Sequence, residues 1–261
     1  MKYLEDDFNW YDGSADISLC EGCYCMTHTI NGHCGKCGAS KGDKMGPKLS
    51  VIMPIYNAED TLQRALDSIP LAKDTQIILV DDGSNDKSWA IVLDWYAKHY
   101  GEMHKNSVVH RWTDNRGVAA AMNLGFSLAT GEYIVSLSSD DYYLTNFDQF
   151  RPFLDGKNDL IYFDLEVNDG SVWRLNAQSK KEFVGAVKFI RREFLGDVRV
   201  PNRKYKEDGP FSRALYAKNP KEVFTGIALK HYNWPHEGSL SWQAVQDYEN
   251  DRELWAKNSG Q

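Results

Sequence analysis

Tyr133-Ile-Val-Ser-Leu-Ser-Ser-Asp-Asp141 is a short apolar run that closes on two serines and two acids. Tyr133 to Leu137 reads as a buried strand, because a continuous apolar run of this length, followed at once by polar residues, suits a strand covered on both faces. A parallel strand that ends in carboxylates delivers them to the carboxyl edge of its sheet, where open α/β sheets bind ligands. Carboxylate oxygens at that edge suit a hard cation, Mg²⁺ or Mn²⁺, of the kind shared with substrate phosphates.

The flanking segments repeat the plan. Upstream, Leu49 to Met53 is a β-rich run stopped by Pro54, and Glu59 to Ile69 has helical periodicity through Leu62, Ala65, Leu66 and Ile69. Thr75 to Val80 is a second buried strand, ending in Asp81-Asp82-Gly83-Ser84. Helical spacing returns from Ser88 to Tyr100, and Val108 to Trp112 is a third strand. Asn115-Arg116-Gly117 then opens a helix to about Ala129, with Gly131 as its C′ glycine. Strands alternating with helices at this spacing predict a mostly parallel, Rossmann-like sheet flanked by helices on both faces. The strand ends carry groups suited to a nucleotide. Tyr56 can lie against a base, and Asp81 or Asp82 can accept from a base N–H or a ribose hydroxyl. Gly83 and Ser84 permit a tight strand-to-helix turn.

Downstream, Asn146 to Leu154 reads as helix, Asp159 to Val167 and Val172 to Leu175 as strands, and Phe183 to Leu195 as helix. A polar, basic loop from Gly196 to Lys206 leads to Glu207-Asp208 at the start of a helix. Val223 to Tyr232 is β-rich, and Ser241 to Lys257 has helical spacing.

The N-terminal stretch differs in kind. All five cysteines lie between Cys20 and Cys37. Cys20, Cys23, Cys34 and Cys37 form two C-x2-C pairs that resemble a zinc ribbon, with Gly22, Gly35 and Gly38 suited to the turns that aim thiolates at one ion. Cys25, His28 and His33 are substitute ligands. Structural Zn²⁺ supplies the folding energy of so short a segment. The expected division is therefore a zinc-ribbon-like unit over residues 1–46 and a catalytic domain over 49–261, with a donor half at 49–145 and an acceptor half at 146–261. Local thiol clustering points to a metal site in a reducing, cytoplasmic setting rather than a disulfide framework. The acidic N-terminus lacks the apolar core of a secretory signal, and no run approaches the ~18 apolar residues of a membrane span.

Together these motifs resemble family 2 glycosyltransferases of the GT-A fold. The resemblance rests on SVIMPIYNAEDTLQRALDSI, IILVDDGSNDKS, NRGVAAAMNLGFSLATGEYIVSLSSDD, YKEDGPFSRAL and EGSLS, in order, between Leu49 and Ser241. It implies an inverting, metal-dependent sugar transfer from a nucleotide-sugar, a UDP-sugar by family habit. It puts Pro54, Tyr56 and Asn57 at the base, Asp81 or Asp82 at base and ribose, and Arg116 and Gly117 near the donor. The family's Asp-x-Asp-Asp is Ser138-Ser139-Asp140-Asp141 here, so the first acid is lost. Asp140 matches the more direct metal ligand, with Asp141 beside it, and Ser138 and Ser139 remain on the donor side. The family's Ala-Arg-Asn is Ala121-Met122-Asn123.

An inverting transfer also needs a carboxylate on the acceptor side to take the hydroxyl proton. The matching motif favours Asp208, with Glu207 orienting it or binding acceptor. His231, after the last β-rich run, is a further candidate metal ligand. The net charge is −7, yet Ser171 to Lys230 carries fourteen Lys or Arg against six Asp or Glu. A basic segment over 188–221 on an otherwise acidic chain suits a polyanionic acceptor. Hydroxymethylated-pyrimidine DNA and an anionic wall polymer or other glycan are the candidates. The other reading is a non-catalytic module that binds a nucleotide-sugar or nucleic acid.

Overall fold

The computed structural model describes residues 17–19, 26–30, 33–34, 46–144, 147–181, 187–202, 208–234, 236–237 and 245–246. The chain divides into two compact units, Met1–Gly46 and Pro47–Gln261. In the first, β1 (Ile17–Leu19), β2 (Met26–Ile30) and β3 (His33–Cys34) form an antiparallel sheet in that order. Cys34 contributes backbone to β3, while Cys20, Cys23, Cys25 and Cys37 lie outside the described residues, as does the zinc set they would complete.

The second unit is built on β4 (Leu49–Ile55), α1 (Leu62–Asp67), β5 (Thr75–Asp81), α2 (Ser88–His99), β6 (Val108–Arg111), α3 (Val118–Leu128) and β7 (Tyr133–Ser136). β8 (Tyr142–Tyr143), β9 (Leu160–Val167), β10 (Val172–Trp173), β11 (Lys188–Arg191), α4 (Arg192–Leu195), α5 (Asp208–Tyr216) and β12 (Glu222–Tyr232) complete it. The sheet order is β6-β5-β4-β7-β11-β9-β12-β8, with β10 on β9. β6, β5, β4 and β7 run parallel, and β9 pairs parallel with β12. β11 is antiparallel to both β7 and β9, as are β8 to β12 and β10 to β9. The expectation of a mostly parallel sheet is thus corrected to a mixed one. The βαβ repeat stops after β7, and from there the strands return in either direction.

The donor half takes shape where its sequence is most apolar. Every residue of β5 is buried, and β4 is buried except at Pro54. Pro54 does not stop that strand, contrary to the sequence reading. Ile52 O accepts from Leu137 N on the β7 side and Ile55 O from Asp82 N on the β5 side. Alternation therefore aims position 54 toward β7, beyond the last β4–β7 pair at Ile52 and Ser136, where a missing N–H costs no ladder bond. Gly131 also has a different task from the one expected. Ala129 is the C-cap of α3, in an extended conformation. A Cβ on Gly131 would stand 2.5 Å from Ser50 N and 2.6 Å from Leu49 C, so the glycine lets the chain cross β4 at backbone contact.

In the acceptor half the main departure is 183–195, read as one helix. Residues 182–186 lie outside the description, but Lys188–Arg191 is a central strand and only Arg192–Leu195 is helical. Its run of buried side chains satisfies either period equally well, so periodicity could not separate the two. The segment read as helix over 146–154 is a 3₁₀ turn series at Phe147–Phe153. The terminal helix expected over 241–257 lies outside the described residues apart from 245–246. No helix among the described residues is long and apolar enough to cross a membrane.

Candidate active site

The loops at the carboxyl ends of β4, β5 and β6 are stitched together by their own polar residues. Asn57 adopts φ +46°, which turns the chain after β4, and its Oδ1 accepts from Asn85 N at 2.8 Å. Asn57 N donates to Ser84 Oγ at 3.0 Å and Glu59 N to Asp86 Oδ2 at 3.0 Å. Asp82 Oδ1 accepts from Arg116 N at 2.7 Å and Oδ2 from Gly117 N at 2.8 Å. Gly117 (φ +90°) opens α3, so the acid fixes the loop that starts this helix. Asp81 is equally committed. Oδ1 accepts from Ser84 N at 3.2 Å and from the Ser84 hydroxyl, and Oδ2 faces Arg111 Nε at 3.0 Å. Both acids thus brace the loops at this edge. Burial raises the Asp82 carboxyl above its ordinary range, against the two amide hydrogen bonds that lower it. Tyr56 stands beside this cradle with 45% of its surface exposed. The Arg116 guanidinium lies 4.8 Å over the Trp112 ring.

The two acids after β7 are divided sharply by their surroundings. Asp141 is 1% exposed and fully engaged: Oδ2 meets Lys230 Nζ at 2.9 Å and Oδ1 accepts from Asn233 N at 3.0 Å. Asp140 is held through its backbone instead, where its carbonyl accepts from Arg64 Nη2 at 3.3 Å. The carbonyl of the neighbouring Ser139 accepts from Thr61 Oγ1 at 2.9 Å. Its carboxylate faces His236, Oδ2 to Nδ1 at 3.6 Å. Burial, then the charge of Asp141, raises the Asp140 pKa. His236 and Glu237 line a cleft of about 380 Å³ with Asn57 to Thr61 and Asp86. His231 takes no part there: its ring stacks on Tyr142 at 4.5 Å, the ring over which Arg64 also lies.

These positions bear directly on whether a cation fits. Asp141 has no free oxygen to offer. His236 Nδ1 is a buried nitrogen with no hydrogen-bond partner among the described residues, and it points at the open carboxylate of Asp140. The carboxylate oxygen suits Mn²⁺ or Mg²⁺, and an imidazole nitrogen beside it favours Mn²⁺ over the harder Mg²⁺. No group of three or more His, Cys, Asp or Glu positioned for a metal occurs among the described residues. A cation held here would take further ligands beyond these two, donor phosphates and water among them.

Asp208 begins α5, where a first-turn carboxylate also suits the helix dipole. Burial raises its pKa, and Lys188 and Lys230 lower it. Lys230 also acts on Asp140. The Lys230 charge thus acts on both acids nominated from sequence, although 68 positions separate them in the chain. Glu207 lies outside the described residues. Asn123 links the halves: its amide donates to Val200 O at 2.8 Å and accepts from Val200 N at 2.9 Å, anchoring the loop that leads toward α5. Sequence reasoning missed Lys230 and Lys188 as site residues. Their only signal was a lysine inside a strand-like apolar run.

Several residues of the basic segment bond within the chain. Arg191 pairs with Asp159 at 2.5 Å and Glu193 at 2.7 Å, and Arg192 Nε donates to Gly131 O. Arg199 and Lys218 bond to carbonyls of 194–198, and Lys188 is buried. Arg203, Lys204 and Lys206 lie outside the described residues. Arg192, Arg199, Arg213, Lys218 and Lys221 are exposed, so the described part of the segment keeps cationic surface.

A family model described as glycosyl transferase family 2 matches residues 50–209, which hold β4 to the start of α5. This chain belongs to glycosyl transferase family 2. Among its relatives, the minor teichoic acid biosynthesis protein GgaB of Bacillus subtilis is 29% identical over 225 residues, covering 77% of this chain and 24% of the relative. The family 2 chain thus spans about a quarter of that protein's length. Of solved structures, TarS 1-349 of S. aureus in complex with UDP-GlcNAc matches with a TM-score of 0.63 and 21% identity, over 74% of this chain and 60% of that one. The mannosyltransferase PcManGT of Pyrobaculum calidifontis, in complex with GDP-Man and Mn²⁺, matches with a TM-score of 0.59 and 18% identity, over 76% and 60%. At these identities the structural matches establish the GT-A-like α/β fold of the family 2 domain.

Proposed function

We propose that the chain is an inverting glycosyltransferase that moves a sugar from a UDP-sugar to an acceptor hydroxyl. The observation that carries this reading is the family 2 match over residues 50–209, which takes in both Asp140 and Asp208. Tyr56 and Asn57 receive the base. Asp81 and Asp82 act through the backbone they hold, and Asp82 sets the Arg116–Gly117 loop beside the donor. Ser138 and Ser139 line the donor side. Asp140 and His236 hold a divalent cation, which supplies Lewis-acid neutralisation of the leaving diphosphate. Asp208 takes the acceptor proton as the hydroxyl oxygen attacks the anomeric carbon. Attack from the face opposite the leaving group inverts that centre. Glu207, next in the chain, orients the acceptor.

For the acceptor, the exposed Arg192, Arg199 and Arg213 suit any polyanion, so charge alone does not single out DNA. The relative named for teichoic acid biosynthesis supports a hydroxyl on an anionic wall polymer instead. UDP- and GDP-sugars, each with and without Mn²⁺, provide the test, read by nucleotide release with poly(ribitol phosphate), hydroxymethylated DNA or water as acceptor. Release from a UDP-sugar that needs Mn²⁺ and rises with the polymer is expected. No release from any donor under any condition would leave a binding module as the better reading.

In the N-terminal unit we assign Cys20, Cys23, Cys34 and Cys37 to one structural Zn²⁺. Elemental analysis of the purified chain should find about one zinc per molecule, lost in Cys34→Ser. A zinc-free, folded preparation made in zinc-replete cells would reject the assignment.

A further inference from the structure

Behind the acceptor-side acid lies a buried charge that the proposed reaction leaves unexplained. Lys188 in β11 is 4% exposed, although β11 sits in the middle of the sheet between β7 and β9. Its register partner is Tyr162, and its ammonium stands 6.0 Å from the centre of that ring. Lys188 Nζ donates to Ser212 Oγ at 3.1 Å. Ser212 follows Asp208 by one helical turn on α5, so one face of the helix carries both.

The charged and titratable groups that face Lys188 are Asp208 from α5, Glu222 from β12 and Tyr162 from β9. Glu222 is already committed, accepting from the Tyr162 hydroxyl at 2.9 Å and pairing with Lys180. Asp208, which the Lys230 charge also reaches, is the carboxylate of α5 on which the Lys188 charge acts. Burying an ammonium is costly, and a methionine of similar reach would fill the same space without that cost. Burial pushes the Lys188 pKa down to about 8, so the side chain keeps its charge at neutral pH. A charge retained in the core beside a candidate base points to a role in the chemistry rather than in stability.

We propose that Lys188 is a positioning residue for sugar transfer: its buried ammonium, steadied by Ser212, keeps Asp208 in the anionic form that a general base requires. The proposal rests on the reading of Asp208 as the base.

The test needs no substrate. The full chain is labelled with ¹³C at aspartate carboxyls, and the Asp208 resonance is assigned by its absence in Asp208→Asn. Its titration is then followed in wild type, Lys188→Met, Lys188→Arg and Ser212→Ala, alongside thermal unfolding. Loss of an opposite charge at this range should move the Asp208 titration up by about one to three pH units in Lys188→Met. Lys188→Arg should stay near wild type, Ser212→Ala should fall between, and the melting temperature of Lys188→Met should hold or rise. An unmoved titration overturns the proposal, and so does a drop in melting temperature with the titration unchanged, which marks a structural lysine. If Lys188→Met does not fold, the Ser212→Ala titration decides in the same way. Sugar transfer by Asp208→Asn separates the two layers. An inactive Asp208→Asn with an unmoved titration sinks the Lys188 role alone, whereas wild-type transfer by Asp208→Asn sinks the base reading and the Lys188 role with it.

Discussion

Asp208→Asn is expected to lower sugar transfer by about 10²–10⁴-fold, the range that a positioned general base contributes. The amide keeps the shape of the carboxylate but removes its charge and its ability to accept a proton. Donor affinity, measured by calorimetry with the UDP-sugar, should therefore stay at the wild-type value. The direction of the Asp208 shift adds a pH signature. The active form is the carboxylate, and burial raises its pKa above the ordinary carboxylate value. Wild-type turnover should thus fall as pH drops through a value above ~4, and the small residual rate of Asp208→Asn should lack that limb. Full turnover in Asp208→Asn would remove this residue from the reaction.

The second large effect separates two neighbours. Asp140→Asn is expected to reduce Mn²⁺-dependent transfer by about 10²–10³-fold, since cation stabilisation of the leaving group supplies several kcal/mol. It should not lower stability, because it relieves repulsion between Asp140 and Asp141. Asp141→Asn should do the reverse. It strands the buried Lys230 ammonium, at about 3–5 kcal/mol of folding stability. Denaturant midpoints and Mn²⁺ titrations of the two variants, read side by side, check the division. Equal loss of stability in both would mean that Asp140 is also a structural acid.

That division was not legible in the sequence, where Asp140 and Asp141 are two acids in a row. The same holds for Asp81 and Asp82. Their place at a strand end could be read, but not that Arg111, Ser84, Arg116 and Gly117 would occupy their oxygens. His236 rather than His231 faces Asp140, because the ring of His231 is held on Tyr142. The basic segment shows the same limit at one residue. Composition counts charges but cannot see that Arg191 is paired with Asp159, 32 positions away.

The donor half could be read from the chain alone because its inner strands, β4, β5 and β7, are buried on both faces. Such strands appear as unbroken apolar runs, and the polar residues that follow each one mark the edge where a ligand binds. The sequence therefore determined the order of β4, β5, β6 and β7, the family, and the nomination of Asp140 and Asp208. Only the tertiary structure decided which carboxylates remain open, that Lys188 lies in a strand, and that Lys230 meets Asp141 across 89 positions. Local periodicity reports which face of a segment is covered. The partner that covers it comes from distant chain, and it is the partner that sets the charge and the chemistry of a buried group.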